Sequence, residues 1–415
     1  AAGQVAIESC WFPGGGEEAV LVYGAFAEGS SFGISLSDNV VAAATHNGIA
    51  FELHGTMRVP NFLREARLGS VAGVEFNRDM SGAVVASGMR VPEFWIRVPW
   101  SALDGTPHDL VQYGHGLLGA GDEVRSGWVG EMANRERFIA FSSSLTGMST
   151  GEFLNALASV ENFGNFRGMG DGLHQGLVEW ILLARAMKTR FTALPQVMSR
   201  NVRITDNVWY TGQSQGGIFG VTYMAIAKDL TRGHVGVGGL NYSTLLHRST
   251  DFEMYLRVLR ANYANRVDEH VGIAAIQLLW DQTDPVSYFR HVTAEPFAGS
   301  TPHYLFVAPA RGDHQVSAMT NEIAARSNIG LVTMRPYDDQ RMPYGITPVA
   351  YPQRDTSAYV LWHYGNPWPH LGNRITNDTM RDPHESPRRD RRHQDMMMRF
   401  FRTGEFVDTC MGTGC

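Results

Sequence analysis

Lysine is all but missing. Of 35 basic residues only Lys188 and Lys228 are lysines, and arginine makes up the rest. The skew is one of coding bias and not of a phosphate-binding surface, because 41 acidic residues outnumber the basic ones and leave a formal net charge of −6. That balance gives no reason to expect nucleic acid or an anionic membrane as partner. No apolar run approaches the roughly 18 residues that cross a bilayer, so no transmembrane segment is expected. Neither an H-x-x-x-H nor a paired C-x-x-C occurs, which leaves no evident metal site, and no cofactor is expected.

Cysteine is scarce too, with three in 415 residues. Cys410 and Cys415 close a short C-terminal loop without a nearby histidine, so a disulfide is expected there in preference to zinc. Pairing of Cys10 with Cys410 or Cys415 is the alternative. A disulfide suits an exported protein. The chain opens on Ala1-Ala2-Gly3 without an initiator Met, as after removal of a signal peptide, so the expected location is secreted or periplasmic, in a bacterium.

What is present fits a soluble globular enzyme: 44% hydrophobic and 18% charged residues, enough for a sizeable core. Residues 1–105 carry strand-like segments between glycine turns, among them Gly55–Pro60 and Phe94–Pro99. They form a β-rich N-terminal region leading into the first strands of the main sheet. From about 106 to 415 the rhythm is strand, loop, helix. Strands are expected at Leu110–Tyr113, Phe138–Phe141, Asn207–Thr211, His234–Leu240, His303–Ala308 and Ser357–Trp362. Helices are expected at Gly176–Met187, Ile218–Ala227 and Arg388–Arg402, the last with an apolar Met and Phe stripe and stopped by Gly404. Such alternation implies an α/β fold with a mostly parallel sheet, whose chemistry gathers at the carboxyl ends of the strands. Residues 245–300, helical and rich in aromatics, read as a cap.

One pentapeptide carries most of the functional signal. Gly212-Gln213-Ser214-Gln215-Gly216 lies between an apolar strand and a helix, the setting of a nucleophile elbow. Glycine is abundant (45 residues), so the pattern counts only because its context is right on both sides. A serine there stands at the head of a helix, where free N–H groups favour developing negative charge. A hydroxyl is a poor nucleophile until a histidine takes its proton and a carboxylate fixes that histidine's tautomer. Asp313 directly follows the 303–308 strand and is preferred as the acid over Asp281 and Asp284, which follow a helical stretch and suit turn chemistry. For the base, His384 in the turn-rich Asp382–Pro387 loop is preferred over His370, which lies nearer the strand. His314 adjoins the acid as a pocket-lining residue. His115-Gly116-Leu117-Leu118-Gly119 follows the strand at 110–113, and its glycines let backbone approach a tetrahedral oxyanion. The expected donors are the amides of Leu117 and Gln215, with His115, Gly116 and Leu118 on the substrate side. His115 is expected to hold the loop and not to act as a second base.

These segments resemble the α/β-hydrolase superfamily. His115–Gly119 looks like the HG loop of bacterial lipases, Gly212–Gly216 like the elbow, and Gly312–Val316 like the strand-end acid motif, together covering about 105–405. The chain is also similar to large exported bacterial esterase- and lipase-like proteins. The resemblance implies an eight-stranded, mostly parallel sheet flanked by helices, a Ser214–Asp313–His384 triad and no cofactor. His384 stands about twenty residues beyond the last strand, longer than the usual histidine loop. The expected activity is serine hydrolysis of carboxylic esters, small or polymeric (esterase, lipase or polyesterase), with an apolar acyl or aryl group near Leu117, Leu118, Phe153, Phe163 and Phe166. An amidase, peptidase or acyltransferase would use the same triad, and a non-catalytic binding protein on this scaffold is the rival from another class.

Overall fold

A computed structural model describes residues 47–64, 73–327, 329–337, 345–376, 379–412 and 415, with the backbone of Ser9–Cys10, Ala19–Val20 and Leu36–Ala43. The chain start and the Cys10 side chain lie outside the described residues. Among the described residues eleven strands share one sheet. In chain order they are β1 (Leu36–Ala43), β2 (Ile49–Met57), β3 (Glu93–Pro99), β4 (Pro107–Gly114), β5 (Phe138–Ser143), β6 (Arg203–Gln213), β7 (Arg232–Gly236), β8 (Tyr304–Ala308), β9 (Leu331–Met334), β10 (Pro348–Val349) and β11 (Ser357–Tyr359). Their spatial order is β10-β9-β11-β8-β7-β6-β4-β5-β3-β2-β1. The pairings β1/β2, β2/β3 and β3/β5 are antiparallel. All the others are parallel.

The residue pattern explains the split. β2 and β3 mix buried apolar positions with half-exposed ones, as antiparallel strands with one wet face do. β5 is buried along its whole length, and β4 and β6 over their carboxyl-terminal halves, as parallel strands covered on both faces are. On one face lie α3 (Phe166–Arg190) and α4 (Gln215–Ile226), packed in a core with Leu177, Trp180, Tyr210 and Tyr223. On the other lie α1 (Gly127–Glu136) and α9 (Arg391–Thr403), where Met396, Met397, Phe400 and Phe401 meet Trp209, Phe306 and Trp362. Gly404 ends α9 in the left-handed conformation (φ 71°) that glycine adopts without steric cost.

Two features depart from expectation. The implied sheet has eight strands and the observed one eleven: β1 extends the antiparallel edge, and β9 and β10 add parallel strands at the other edge, between the β8 and β11 segments in sequence. At four and two residues they are too short for an alternation signal, and pairing alone makes them strands. The span 245–300 is also divided. α5 (Glu253–Asn262) and α6 (Arg266–Trp280) wall, with α2 (Phe153–Glu161), the apolar cavity described below, while α7 (Pro285–Thr293) packs on α4 and α8 (Ala318–Arg326) follows β8. Cys410 and Cys415 are disulfide-bonded, with Cα atoms 5.3 Å apart. Among the described residues no helix is long and apolar enough to cross a membrane.

Candidate active site

β6 turns into α4 through Ser214, whose φ of 56° and ψ of −120° no ordinary residue adopts without strain. Neighbouring glycines make the bend possible. A Cβ on Gly212 would overlap the Gly216 carbonyl, and one on Gly216 would overlap the Gly114 carbonyl. The Tyr210 hydroxyl donates to the Gly216 carbonyl (2.7 Å), and Ser214 N–H donates to the Gly236 carbonyl (3.0 Å). The turn is thereby pinned from both sides.

The acid loop follows β8. Gly312, at φ 78°, reverses the chain where a Cβ would strike Asn366. Asp313 is fully buried. Its Oδ1 accepts from the Gln315 and Val316 amides (both 2.9 Å), and its Oδ2 accepts from His384 Nδ1 at 2.8 Å. Burial alone would lower the pKa of His384, but the charge of Asp313 and its hydrogen bond outweigh that and raise it above the ordinary 6.5. His384 and Ser214 line one cavity. With Nδ1 engaged by the carboxylate, Nε2 is the nitrogen left to face the serine. No hydrogen bond joins Ser214 Oγ to the imidazole among the described residues, a contact that is commonly long until substrate draws the groups together.

Asp382 explains how the long histidine loop is held. Its Oδ1 accepts from the backbone N–H of both His314 and His384 (3.1 Å each), and its Oδ2 accepts from Gln315 Nε2 (2.9 Å). One carboxylate thus staples the acid loop to the histidine loop. Nothing in sequence spacing marked it, because both partners are loop backbone. His370 is exposed, and its Nδ1 accepts from the Gly372 amide (2.7 Å), away from Asp313. Asp284 accepts from the Asn241, Tyr242 and Val286 amides as the cap of α7, and Asp281 accepts from Gln277.

The loop 115–119 lies beside the elbow. Gly116 N–H is taken by Glu123 (2.9 and 3.1 Å), and Leu118 N–H by Gln215 Oε1 (3.1 Å). The amide between them, that of Leu117, is the loop donor not so occupied, and Leu117 lines both cavities at Ser214. Gln215 is the first residue of α4, so its N–H is one of the unpaired donors of a helix start. Its side chain is a second finding that spacing did not reveal. It holds Leu118 with its oxygen and donates to the Met148 carbonyl at 2.7 Å, latching two loops to the elbow.

His115 must be corrected as a substrate-side residue. Its ring is buried, Nδ1–H donates to the Gly116 carbonyl (2.9 Å), and Nε2 accepts from the Leu145 amide (2.8 Å). Desolvation pushes its pKa down to about 4, so it is a neutral loop brace. Gly116 lines the polar cavity and Leu118 the apolar one. His314 lines neither. Its carbonyl instead accepts from Thr250 N–H (3.0 Å).

Ser214 opens onto two unlike spaces. The first is walled by Leu118, Phe166, Ile218, Phe252, Ile276 and Trp280 among others, almost all apolar. Leu117, Phe163 and Phe166 of the expected apolar set line it, whereas Phe153 does not. The second holds His384, Glu123, Asp251, Arg388 and Trp128. Lining neither space, His247, Glu269 and His270 bring possible metal ligands within 4.8 Å of one another. Glu269 already pairs with Arg260 and Arg266 (3.0 Å each), which supply its counter-charge.

Sheet order, the elbow after β6 and the acid after β8 define the α/β-hydrolase fold. No protein-family model and no curated protein matches the chain. Among solved structures, it is similar to acetyl xylan esterase 1 of a Thermoanaerobacterium species (10% identity, 82% of this chain and 85% of that one, TM-score 0.44). It is also similar to an acetyl xylan esterase of a Paenibacillus species (13% identity, 89% of each chain, TM-score 0.43). A third likeness is to the Pyrococcus horikoshii acylaminoacyl peptidase (12% identity, 86% of this chain, TM-score 0.39), of which it spans about half, 49%. With TM-scores below 0.5 these likenesses say nothing of activity, and the fold rests on the chain's own strand order and turn.

Proposed function

We propose that the protein is a serine hydrolase that cleaves carboxylic esters with an apolar acyl group. The observation that carries this is the His384–Asp313 pair, at 2.8 Å, on the wall of a cavity shared with a strained serine at a helix head. Ser214 Oγ attacks the ester carbonyl as His384 Nε2 takes its proton. The amides of Leu117 and Gln215 then hold the oxyanion, each such donor contributing about 3 kcal/mol of transition-state stabilisation. Collapse of the intermediate breaks the bond to the alcohol oxygen, which leaves with the proton from His384. Water, deprotonated by His384, hydrolyses the acyl-serine to the carboxylic acid and restores Ser214. Asp313 stays ionised throughout and fixes the imidazole.

The apolar cavity supports an acyl chain of some length. A chromogenic ester panel from acetyl to palmitoyl tests this on wild type, Ser214→Ala, His384→Ala and His370→Ala, alongside fluorophosphonate labelling. Labelling and turnover are both expected to be lost in Ser214→Ala and in His384→Ala, and both kept in His370→Ala. Turnover surviving His384→Ala but not His370→Ala would overturn the base assignment. Export is proposed as well, on the bonded Cys410–Cys415 pair. Recovery of the native protein from the periplasm or medium checks it.

A further inference from the structure

Proton transfer tells the two cavities apart. His384 must hand its proton to the departing alcohol oxygen, so the alcohol half lies on the side that His384 lines, and the acyl half in the apolar space that it does not. The alcohol side is polar, and most of its charges are already matched. Glu385 pairs with Arg388 (2.9 Å) and Arg389 (3.0 Å), and Glu123 is spent on the Gly116 amide. Asp251 differs. Its half-buried carboxylate lines both spaces where they meet at Ser214, and it accepts no hydrogen bond from any described residue.

Its position is nevertheless fixed. Asp251 N–H donates to Ser249 Oγ (3.2 Å), and the neighbouring Thr250 donates to the His314 carbonyl beside Asp313. The carboxylate is therefore referenced to the same loop that carries the acid. An acceptor whose backbone is anchored at the reacting centre, with no donor among the described residues, is open to a donor on the ligand.

We propose that Asp251 selects the alcohol half of the substrate, and that this half is a neutral polyhydroxylated group of the glycerol or sugar type. The inference rests on the ester-hydrolase reading above. Hydroxyls suit this wall because they donate to Asp251 and accept from the arginines, while the Trp128 ring offers a face for C–H groups. A quaternary ammonium alcohol brings charge but no O–H or N–H to give the Asp251 carboxylate, and an anionic one would confront Asp251 itself.

Three esters of one acid decide the matter: ethyl octanoate, 1-octanoylglycerol and octanoylcholine, followed by titration of released acid on wild type, Asp251→Ala and Asp251→Asn. Wild type is expected to favour the glycerol ester over the ethyl ester in kcat/KM. Asp251→Ala should cut that preference about tenfold, the scale of one hydrogen bond to a charged acceptor, with most of the change in KM. Asp251→Asn, whose amide oxygen still accepts, should fall between, and it also guards against misfolding of the alanine variant. A wild type indifferent to the alcohol, a preference that survives both substitutions, or a preference for the choline ester lost on substitution would each overturn the proposal. If no ester turns over and Ser214 resists fluorophosphonate, the hydrolase reading falls and this inference with it. Turnover without alcohol preference sinks this inference alone.

Discussion

Replacing Asp313 by Asn is the sharpest test of the site, because the structure separates what the side chain holds from what its charge does. Oδ1 accepts from the Gln315 and Val316 amides, and an Asn carbonyl oxygen can keep both bonds, so the loop should stand. The other half changes sign of partnership. Where Oδ2 now accepts from His384 Nδ1–H, an amide would donate to Nδ1 and drive the ring proton to Nε2, the nitrogen that must be empty to deprotonate the serine. A wrong tautomer at such a site costs about 10⁴ in kcat. That factor corresponds to about 5 kcal/mol on the barrier. The pH profile should move too. His384 must be neutral to act, so wild-type activity falls as pH drops through a pKa raised by Asp313; without the carboxylate, burial prevails and the acid limb shifts to lower pH. Stability follows the same linkage. Because the folded pKa lies above the unfolded one, the pair's contribution is complete below the unfolded pKa and is lost as pH rises through the folded value. Thermal unfolding should accordingly show a larger gap between wild type and variant near pH 5 than near pH 8. The reasoning is refuted if the variant keeps more than a tenth of wild-type turnover, or if its acid limb does not move.

Other outcomes follow from the same geometry. Gly216→Ala places a Cβ against the Gly114 carbonyl, backbone that cannot swing aside, and should cost about 1–3 kcal/mol or more of stability by denaturant unfolding while abolishing turnover. Gln215→Ala releases the Leu118 amide and the Met148 carbonyl, and should lower kcat by about tenfold as the Leu117 amide loses its aim, with KM less affected; unchanged kcat would show the latch to be dispensable. Ile273→Trp adds bulk to the apolar cavity from α6 and should shift the preferred acyl length downward on the chromogenic panel.

Much of this site was readable along the chain because its parts are local. The strand–turn–helix around Ser214 needs only an apolar run, two glycines and a helix former, and β6 and α4 lie within a few residues of where these signals put them. The acid was readable for the same reason, since a strand end followed by a helix start leaves a short stretch for it. The histidine was readable only as a preference. His384 and His370 both lie in Pro-containing loops after β11, and what favoured His384 was its turn-rich stretch just ahead of the last helix; its pairing with Asp313 is a tertiary contact. What separates them is Asp382, which binds backbone in both the acid loop and the histidine loop. His115 holds its loop as expected but does not face the substrate, because its second nitrogen is taken by Leu145, thirty residues on, a partner no local pattern announces.

Short-range chemistry, then, was settled in the order of amino acids: which segments extend, which coil, where the backbone must bend at Ser214, and which carboxylate caps the turn after β8. Convergence was not. His384 and Asp313 are 71 residues apart, and they meet because β8 and β11 run side by side in parallel, delivering both loops to one end of the sheet. The unlikeness of the two spaces at Ser214 is likewise a property of packing, since α2, α5 and α6 wall one of them and the loop ahead of α9 the other. Strand pairing is a long-range choice made by the whole buried core, and no window of neighbouring residues contains it.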